Sequence, residues 1–205
     1  DYDETESVAN EIYEIVSKGE AKYSDFEILY RTNVQFRVFE EKLLKSFEIL
    51  NQDEIQNIKK LQYFEIDSNW ILTADFKRDV GEIFEMPTTT ERKPTYRRVG
   101  YLFFTYQEIH FQLAVYQNME LKGTAYEDYY FLPFKDSNAP EITYGGGRYL
   151  DVQFSLEDVN VVVDFNKAYN PYCVYSYRYS CPMTPSENHL SVKINSGAKN
   201  PILRE

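Results

Sequence analysis

The feature that most constrains the fold is a long alternating stretch at residues 95–118, "TYRRVGYLFFTYQEIHFQLAVYQN". Two extended halves are separated by the polar pair Gln107-Glu108. In the second half two sets of positions alternate, Ile109, Phe111, Leu113 and Val115 with His110, Gln112, Ala114 and Tyr116. Successive side chains of a strand point to opposite faces, so the pattern predicts a β-hairpin with His110 on its polar face.

Short strand patterns also occur on both sides of this hairpin. They are bounded by turn residues and lie at residues 70–77, 82–86, 128–134, 148–154, 159–165 and 190–194. Many short strands joined by turns are typical of antiparallel folds, and a hydrophobic content of 43% is enough for a packed core. We therefore predict that residues 51–205 form a mainly antiparallel β sandwich or open barrel.

The first 50 residues have a helical pattern instead of an alternating one. Apolar residues recur at helical spacing in residues 4–19, and a short apolar strand is predicted at residues 25–31. The helical period returns at residues 32–50, with Thr32 or Asn33 as the cap. The whole chain is therefore predicted to be α+β, with an N-terminal helix-strand-helix segment ahead of the β domain.

The chain is acidic, with a formal net charge of −11. This charge repels a phosphate backbone, so we expect neither nonspecific nucleic-acid binding nor docking on an anionic membrane. The longest apolar runs are far shorter than the roughly 20 residues that a membrane helix needs. With no recognisable signal peptide in the given chain, the sequence predicts a soluble protein and leaves its compartment open.

One N-terminal stretch has a distinctive motif. Residues 2–45, "YDETESVANEIYEIVSKGEAKYSDFEILYRTNVQFRVFEEKLLK", resemble the start of the second motor domain of UvrD-type superfamily 1 DNA helicases. The resemblance implies that Tyr30 stacks on adenine and that Arg31 reaches the ATP phosphates. The sequence has no G-x-x-x-x-G-K-[ST] phosphate loop and no Asp-Glu pair after an apolar strand to hold magnesium. Residues 1–50 are therefore interpreted as a helicase-like α/β appendage that is not a motor.

The remaining three quarters of the chain have several motifs of their own. They include "LQYFEID", "MPTTTERKPTYRRVGYLFF", "FLPFKD", "TYGGGRYLDV" and "DFNKAYNPYCVYSYRYSCPMTPSENHL". These segments, spread over about residues 52–200, resemble the bacterial and archaeal domain of unknown function numbered 1684. The resemblance implies a shared fold and brings no established activity, so whether the protein is an enzyme stays open.

Both cysteines lie in "NPYCVYSYRYSCPMTPSEN", residues 170–188. In one extended strand the sulfurs of Cys173 and Cys181 would be roughly 26 Å apart. A disulfide needs α-carbons within about 7 Å. The prolines that flank the segment favour a bounded loop that folds back around Tyr177 and places the cysteines opposite each other. A structural pair, bonded or reduced, is the favoured interpretation.

Chemical roles for the same segment are alternatives. Cys173 has the residue type of a nucleophile with His189 as its base, and Glu187 has that of a general acid or base. Cys181 and His189 repeat the seven-residue gap between the two cysteines, but the C-x₂-C pairing usual at zinc sites is absent. We therefore expect no metal site and no cofactor.

Two polar segments supply candidate ligand-binding residues. Consecutive glycines in "TYGGGRYLD" can free N–H groups for an anion, or can simply form a tight turn. Short polar side chains in "DFNKAYNPYC" follow the most apolar strand, where binding residues are often displayed, although asparagines also make turns. The candidates are Gly145, Gly146, Gly147, Arg148, Asp151, Asn166, Tyr169, Asn170, Tyr172 and Asn188.

The sequence thus favours a binding module for an unknown small molecule or carbohydrate-like ligand, with the glycine triplet beside the cysteine loop. The alternatives are a hydrolase that uses Cys173 or Glu187 in the same cleft, and a non-motor remnant of an ATP-dependent DNA helicase.

Overall fold

A computed structural model describes residues 50–204 apart from residue 125, together with residues 7, 8, 11, 12, 14, 15 and 18. The chain forms two compact units. One comprises residues 62–200, and the other comprises residues 1–61 with residues 201–205. The sequence-based prediction places the end of the N-terminal unit at residue 50, whereas the structure places it at residue 61.

The first unit has a capped helix and a small two-stranded sheet. The helix Gln52–Asn57 begins after Asn51, whose side chain accepts a hydrogen bond from the Glu54 N–H at 2.9 Å. The Glu54 carboxylate in turn accepts from the Asn51 N–H at 2.8 Å, which completes a capping box. Strand β1 (Ile58–Lys60) then pairs antiparallel with β9 (Ile202–Leu203).

Most of the predicted helix-strand-helix segment lies outside the described residues. Within the first predicted helix, residues 7, 8, 11, 12, 14 and 15 are helical. The predicted strand at 25–31 and the predicted helix at 32–50, up to Leu50, lie outside the described residues, as do Tyr30 and Arg31.

The second unit is built on one antiparallel sheet. Its strands are β2 (Ile71–Arg78), β3 (Ile83–Glu85), β4 (Thr95–Tyr106), β5 (Ile109–Asn118), β6 (Tyr129–Phe134), β7 (Arg148–Gln153) and β8 (Asn160–Asp164). The order across the sheet is β7-β6-β5-β4-β2-β8, and β3 pairs with β4. The mainly antiparallel prediction is confirmed. The sandwich alternative is wrong because the described strands of this unit form a single, half-barrel sheet.

Short 3₁₀ helices join or follow these strands. They are Ser68–Trp70, Met119–Leu121, Phe165–Lys167, Tyr172–Val174 and Ser186–Asn188. None of the helices in the described part of the chain has the length and hydrophobicity needed to cross a bilayer.

The central hairpin is formed as predicted. Strands β4 and β5 pair along their length as far as Tyr106 and Ile109. Gln107 and Glu108 both have positive φ, at 48° and 64°, so the connection is a two-residue turn of the kind that matches the twist of paired strands.

The predicted strand at residues 190–194 is wrong. This segment consists of bends and irregular backbone, although Leu190 and Ile194 are buried as the alternation suggested. Its backbone N–H groups bond elsewhere: that of Leu190 donates to the Lys135 carbonyl and that of Ile194 donates to the Asp136 carboxylate. Residues 190–194 therefore have an alternating pattern of burial without forming a strand of the sheet.

Both faces of the sheet are covered. The main core includes Leu102, Leu113 and Leu132, all fully buried on one face. A smaller, tyrosine-rich cluster, which we call the second-face cluster, comprises Met86, Tyr96, Ala114, Tyr116, Phe131 and Tyr149. Adjacent residues such as Leu113 and Ala114 belong to different clusters because their side chains point to opposite faces. The second-face cluster is the base of the candidate site.

Candidate functional site

Residues 170–189 fold back on themselves, as predicted. The turn follows the 3₁₀ helix Tyr172–Val174, and Tyr177 at its tip is 88% exposed. The return places the N–H of Cys173 3.2 Å from the sulfur of Cys181, to which it donates. Both cysteines are free thiols that lie in contact with each other.

The returning segment is attached to the chain just before β4. The Cys181 carbonyl accepts a hydrogen bond from the Thr89 N–H at 3.0 Å, and the Met183 N–H donates to the Pro87 carbonyl at 2.8 Å. These bonds fix residues 181–187 as one wall of a cleft over the second-face cluster.

Asn188 fixes the end of this wall. Strands β5 and β6 are paired directly at Tyr116 and Phe131. The buried Asn188 side chain bridges them by accepting from the Ala114 N–H at 2.7 Å and donating to the Ala114 and Pro133 carbonyls at 2.9 and 2.7 Å. Its amide atoms are therefore used by the sheet, and the structure gives Asn188 a structural role instead of the predicted ligand contact.

The side chain of Glu187, the residue before Asn188, points away from the sheet hydrogen bonds of Asn188 and into the cleft. Its Oε1 accepts a hydrogen bond from the Tyr116 hydroxyl at 2.6 Å, and its Oε2 accepts from the Tyr101 hydroxyl at 3.1 Å. The cleft has a volume of about 590 Å³, within the range of roughly 300–1,000 Å³ that is usual for small-molecule sites. It is lined by Gly81, Glu82, Phe84, Met86, Pro87, Arg98, Tyr116, Met183, Thr184, Pro185, Ser186 and Glu187.

The two phenols are fixed as hydrogen-bond donors. Burial, and then the hydrogen bond to Glu187, raises the pKa of Tyr116 well above its ordinary value. The pKa of Tyr101 is raised by burial and by the Glu187 charge. Both groups therefore stay protonated at neutral pH and hold the carboxylate in one orientation.

The basic side chain that lines the cleft is already paired. Arg98 forms an ion pair with Asp79 at 3.0 Å, and its guanidinium carbon lies 4.8 Å from the centre of the Tyr101 ring. Among the described residues, no basic nitrogen lies within 4.0 Å of the Glu187 carboxylate. The cleft thus contains a carboxylate with hydrogen-bonding capacity left for a ligand.

The mouth of the cleft is apolar. Phe84 and Met183 line it and are 36% and 53% exposed, and Ile83 beside Phe84 is 48% exposed. The Phe84 ring meets that of Tyr116 edge to face, with centroids 6.0 Å apart. A ligand here would contact aromatic and thioether groups as well as the carboxylate.

Comparison with known proteins agrees with the sequence resemblance. The family model "Protein of unknown function (DUF1684)" matches residues 56–199. The chain belongs to this family. The solution NMR structure of an uncharacterized protein from Haloarcula marismortui is similar to this DUF1684 protein, with a TM-score of 0.62 and 26% identity. The similarity covers 78% of this chain and 88% of the archaeal one.

The N-terminal resemblance is shorter. A segment of 46 residues, 22% of this chain, is 50% identical to the ATP-dependent DNA helicase PcrA of Bacillus subtilis (strain 168). The chain spans 6% of the length of that helicase.

Arg148, predicted to bind a ligand, is instead a core residue of this DUF1684 protein. Its side chain and that of Asp136 are each 1% exposed and form an ion pair at 3.2 Å. Its guanidinium also donates to the carbonyls of Ser196, Ala198 and Ile194. Burial lowers its pKa to about 10, while Asp136 opposes the shift. Asp151, another predicted ligand-binding residue, points to the opposite face of the sheet, because the two positions differ by three along β7.

Asn166 and Asn170, also predicted to bind a ligand, are buried structural residues. The Asn166 amide bonds to the backbone of Asp67 and to the hydroxyl of Ser196. The Asn170 amide nitrogen donates to the Lys199 carbonyl at 2.8 Å. The sequence predicts both as binding residues displayed in a loop, whereas each holds neighbouring segments together.

Tyr169 and Asp151 are brought together but lie outside the cleft. The Tyr169 hydroxyl donates to the Asp151 carboxylate at 2.7 Å. The other predicted tyrosine, Tyr172, is 40% exposed at the loop surface, with its ring 5.2 Å from that of Tyr179. These three residues stay predicted candidates.

The glycine triplet forms a tight turn beside the cysteine loop. Gly147 has φ +97°, and a Cβ there would lie 2.7 Å from the Phe134 carbonyl oxygen. Its N–H donates to the Tyr144 carbonyl at 3.0 Å, so it does not face an anion. The predicted proximity is found, since the Thr184 hydroxyl donates to the Gly146 carbonyl at 2.9 Å. Gly145 begins the triplet, and its Cβ position lies beside Pro140.

The predicted nucleophile and base are not paired. His189 is exposed, with its Nε2 3.4 Å from the Thr184 carbonyl, whereas the Cys173 sulfur faces Cys181 and Tyr144. Within the described ranges, no three His, Cys, Asp or Glu side chains are grouped as metal ligands.

Sequence reasoning found Glu187 but missed its two phenol partners. Tyr116 lies on β5 at a position that the alternation groups with His110 and Gln112, and Tyr101 lies on the paired strand β4, opposite Ala114. An aromatic residue among the polar positions of β5 was the available sign that this face is covered.

Proposed function

We propose that residues 62–200 form a binding module for a small molecule that occupies the cleft at Glu187. The observation that carries the proposal is the Glu187 carboxylate itself. Two phenols hold it in place, and no basic side chain of the described residues neutralises it. An unneutralised, oriented carboxylate in a cleft of this size is typical of a recognition group.

The ligand class follows from the lining. Glu82 and Glu187 make the wall acidic, whereas Arg98 is neutralised by Asp79. Phe84 and the two methionines supply apolar contacts, and aromatic faces attract cations. We therefore infer a ligand with a cationic group and an apolar body, such as an arylalkyl amine.

The test uses probes that share one apolar body. Phenethylamine, 2-phenylethanol and phenylacetate carry a positive, a neutral and a negative group, and are titrated into ¹⁵N-labelled protein. Methyl glucoside tests the carbohydrate-like ligand suggested by the sequence. We expect the amine to shift resonances of residues 183–187 and to have the lowest Kd. Equal affinities, or tighter binding of phenylacetate, would contradict the proposed class.

A matched pair of variants tests whether a preference for the positively charged probe comes from Glu187. Glu187→Gln keeps the shape of the side chain and removes its charge. A hydrogen bond to a charged group contributes about 1.5–3 kcal/mol, so we expect the amine to bind at least about ten-fold more weakly. Glu157→Gln, at an exposed ion pair with Arg78, is the control and should leave the Kd unchanged.

The hydrolase hypothesis shares this cleft only through Glu187. Cys173 and His189 do not line it. If the module only binds, p-nitrophenyl acetate will be hydrolysed at the same rate by the wild type and by Glu187→Gln. A rate that falls with this substitution would favour the hydrolase.

The helicase-like match supports a separate proposal for residues 1–50. Tyr30 and Arg31 match the helicase motif, and we propose that they retain weak affinity for adenine nucleotides without hydrolysis. Saturable binding of ATP that is lost in Tyr30→Ala would support this remnant function. An ATP titration without saturation would dismiss it.

A further inference from the structure

The two thiols have unequal access to solvent. Cys181 is buried, whereas Cys173 is half-buried. The loop between them has the exposed tip Tyr177. A reagent from solvent therefore reaches Cys173 first.

Hydrogen bonds fix the two thiols against each other. The Cys173 N–H donates to the Cys181 sulfur at 3.2 Å, and the Cys181 thiol is hydrogen-bonded to the Cys173 sulfur. The Tyr144 hydroxyl lies 3.8 Å from the Cys173 sulfur. The Cys181 N–H donates to the Thr89 hydroxyl at 3.2 Å, which holds the returning segment in place. The Cys181 thiol and the Tyr144 hydroxyl thus both contact the sulfur of Cys173, and a hydrogen bond donated to this sulfur favours its thiolate.

We propose that Cys173 and Cys181 form a dithiol site that exchanges with small-molecule disulfides, with Cys173 as the attacking sulfur and Cys181 as the resolving one. The site is separate from the cleft, which neither cysteine lines. It therefore stands whether or not the cleft binds an amine.

The exchange balances in two steps. The Cys173 thiolate attacks one sulfur of the external disulfide, so a mixed disulfide forms and the first small thiolate leaves and takes a proton from solvent. Cys181 then loses its proton and attacks the Cys173 sulfur, which releases the second thiolate, and that thiolate is protonated in turn. The protein loses two electrons and two protons, and the external disulfide is reduced to two thiols.

Oxidised glutathione is the probe, applied to the full chain in its reduced form. Samples are quenched with N-ethylmaleimide at intervals and analysed by intact mass and peptide mapping. In the wild type we expect the first glutathione adduct at Cys173, followed by an internal disulfide without bound glutathione. A first adduct at Cys181, or a stable adduct without the internal disulfide, would overturn the proposal.

Two variants separate the steps. Cys181→Ser removes the resolving thiol, so a single glutathione adduct should accumulate at Cys173. Cys173→Ser leaves a buried thiol, and its reaction should be slower by about ten-fold or more. Equal rates for the two variants would contradict the assignment of roles. Peptide mapping of the wild type gives the order of attack without either variant, so a variant that fails to fold does not decide the result.

Discussion

At the residue scale, the sulfur of Cys173 is held by the Cys181 thiol, the Tyr144 phenol and the Thr89 hydroxyl. These donors, that of Cys181 first, lower the pKa of Cys173 from 9.0 to about 6, although burial acts in the opposite direction. The pKa values of Cys181, Tyr144 and Tyr149, the titratable groups that face it, are all raised. They stay neutral while Cys173 ionises.

The alkylation rate of Cys173 is therefore expected to follow its own ionisation. The rate with iodoacetamide, measured by peptide mapping, should rise with pH to a midpoint of about 6 and level off above it. In Cys181→Ala the midpoint should move upward, because the first of the donors is lost. A wild-type midpoint near 9.0 would contradict the hydrogen-bonded arrangement.

The buried Arg148–Asp136 pair predicts a large effect on stability. Asp136→Asn keeps the shape of the side chain but leaves the Arg148 guanidinium buried without a counter-charge. Breaking a buried pair in this way costs about 3–5 kcal/mol of unfolding free energy. Urea unfolding followed by the fluorescence of the single tryptophan, the buried Trp70, measures it.

The control for this substitution is Glu157→Gln, which breaks the exposed pair with Arg78. Exposed pairs contribute little because water screens them, so its unfolding midpoint should stay close to that of the wild type. Similar losses in both variants would show that burial of the Arg148 pair is not the cause.

At the element scale, the hairpin shows how far the sequence determines the fold. Alternation predicted β4, β5 and their turn, because pairing and burial both follow a period of two. The same rule failed at residues 190–194, where alternating side chains are buried while the backbone bonds to a loop and to a carboxylate. Periodicity therefore reports burial, and here the backbone pairs only at an isolated bridge between Lys135 and His189 instead of along a strand.

The hairpin turn carries a prediction of its own. Gln107 and Glu108 occupy positions with positive φ, where residues other than glycine, asparagine and aspartate are disfavoured. The double substitution Gln107→Asn/Glu108→Gly should raise the unfolding free energy by about 1 kcal/mol, because it removes this backbone strain. Alanine at both positions keeps the strain and should give no gain in the same urea experiment. An equal gain from alanine would attribute the effect to the removed side chains.

At the scale of the whole molecule, the candidate site depends on contacts that span the second unit. Glu187 from a late loop meets phenols of two central strands, and its neighbour Asn188 joins β5 to β6. The sequence suggested the loop, since its polar and aromatic content is unusual. It gave no means of telling which amides face a ligand and which complete the sheet, because that depends on where neighbouring strands leave backbone groups unpaired.

The second unit should fold and bind without the first. All strands of the seven-stranded sheet, the main core and the cleft lie within residues 62–200. A domain with its own hydrophobic core is expected to fold on its own. A fragment of residues 62–200 should therefore give a dispersed ¹⁵N spectrum, unfold in a single transition and show the same Kd for phenethylamine as the full chain. A folded fragment that binds phenethylamine more weakly than the full chain would contradict the prediction for binding. An unfolded fragment would mean that the second unit depends on residues 1–61 or 201–205 for stability.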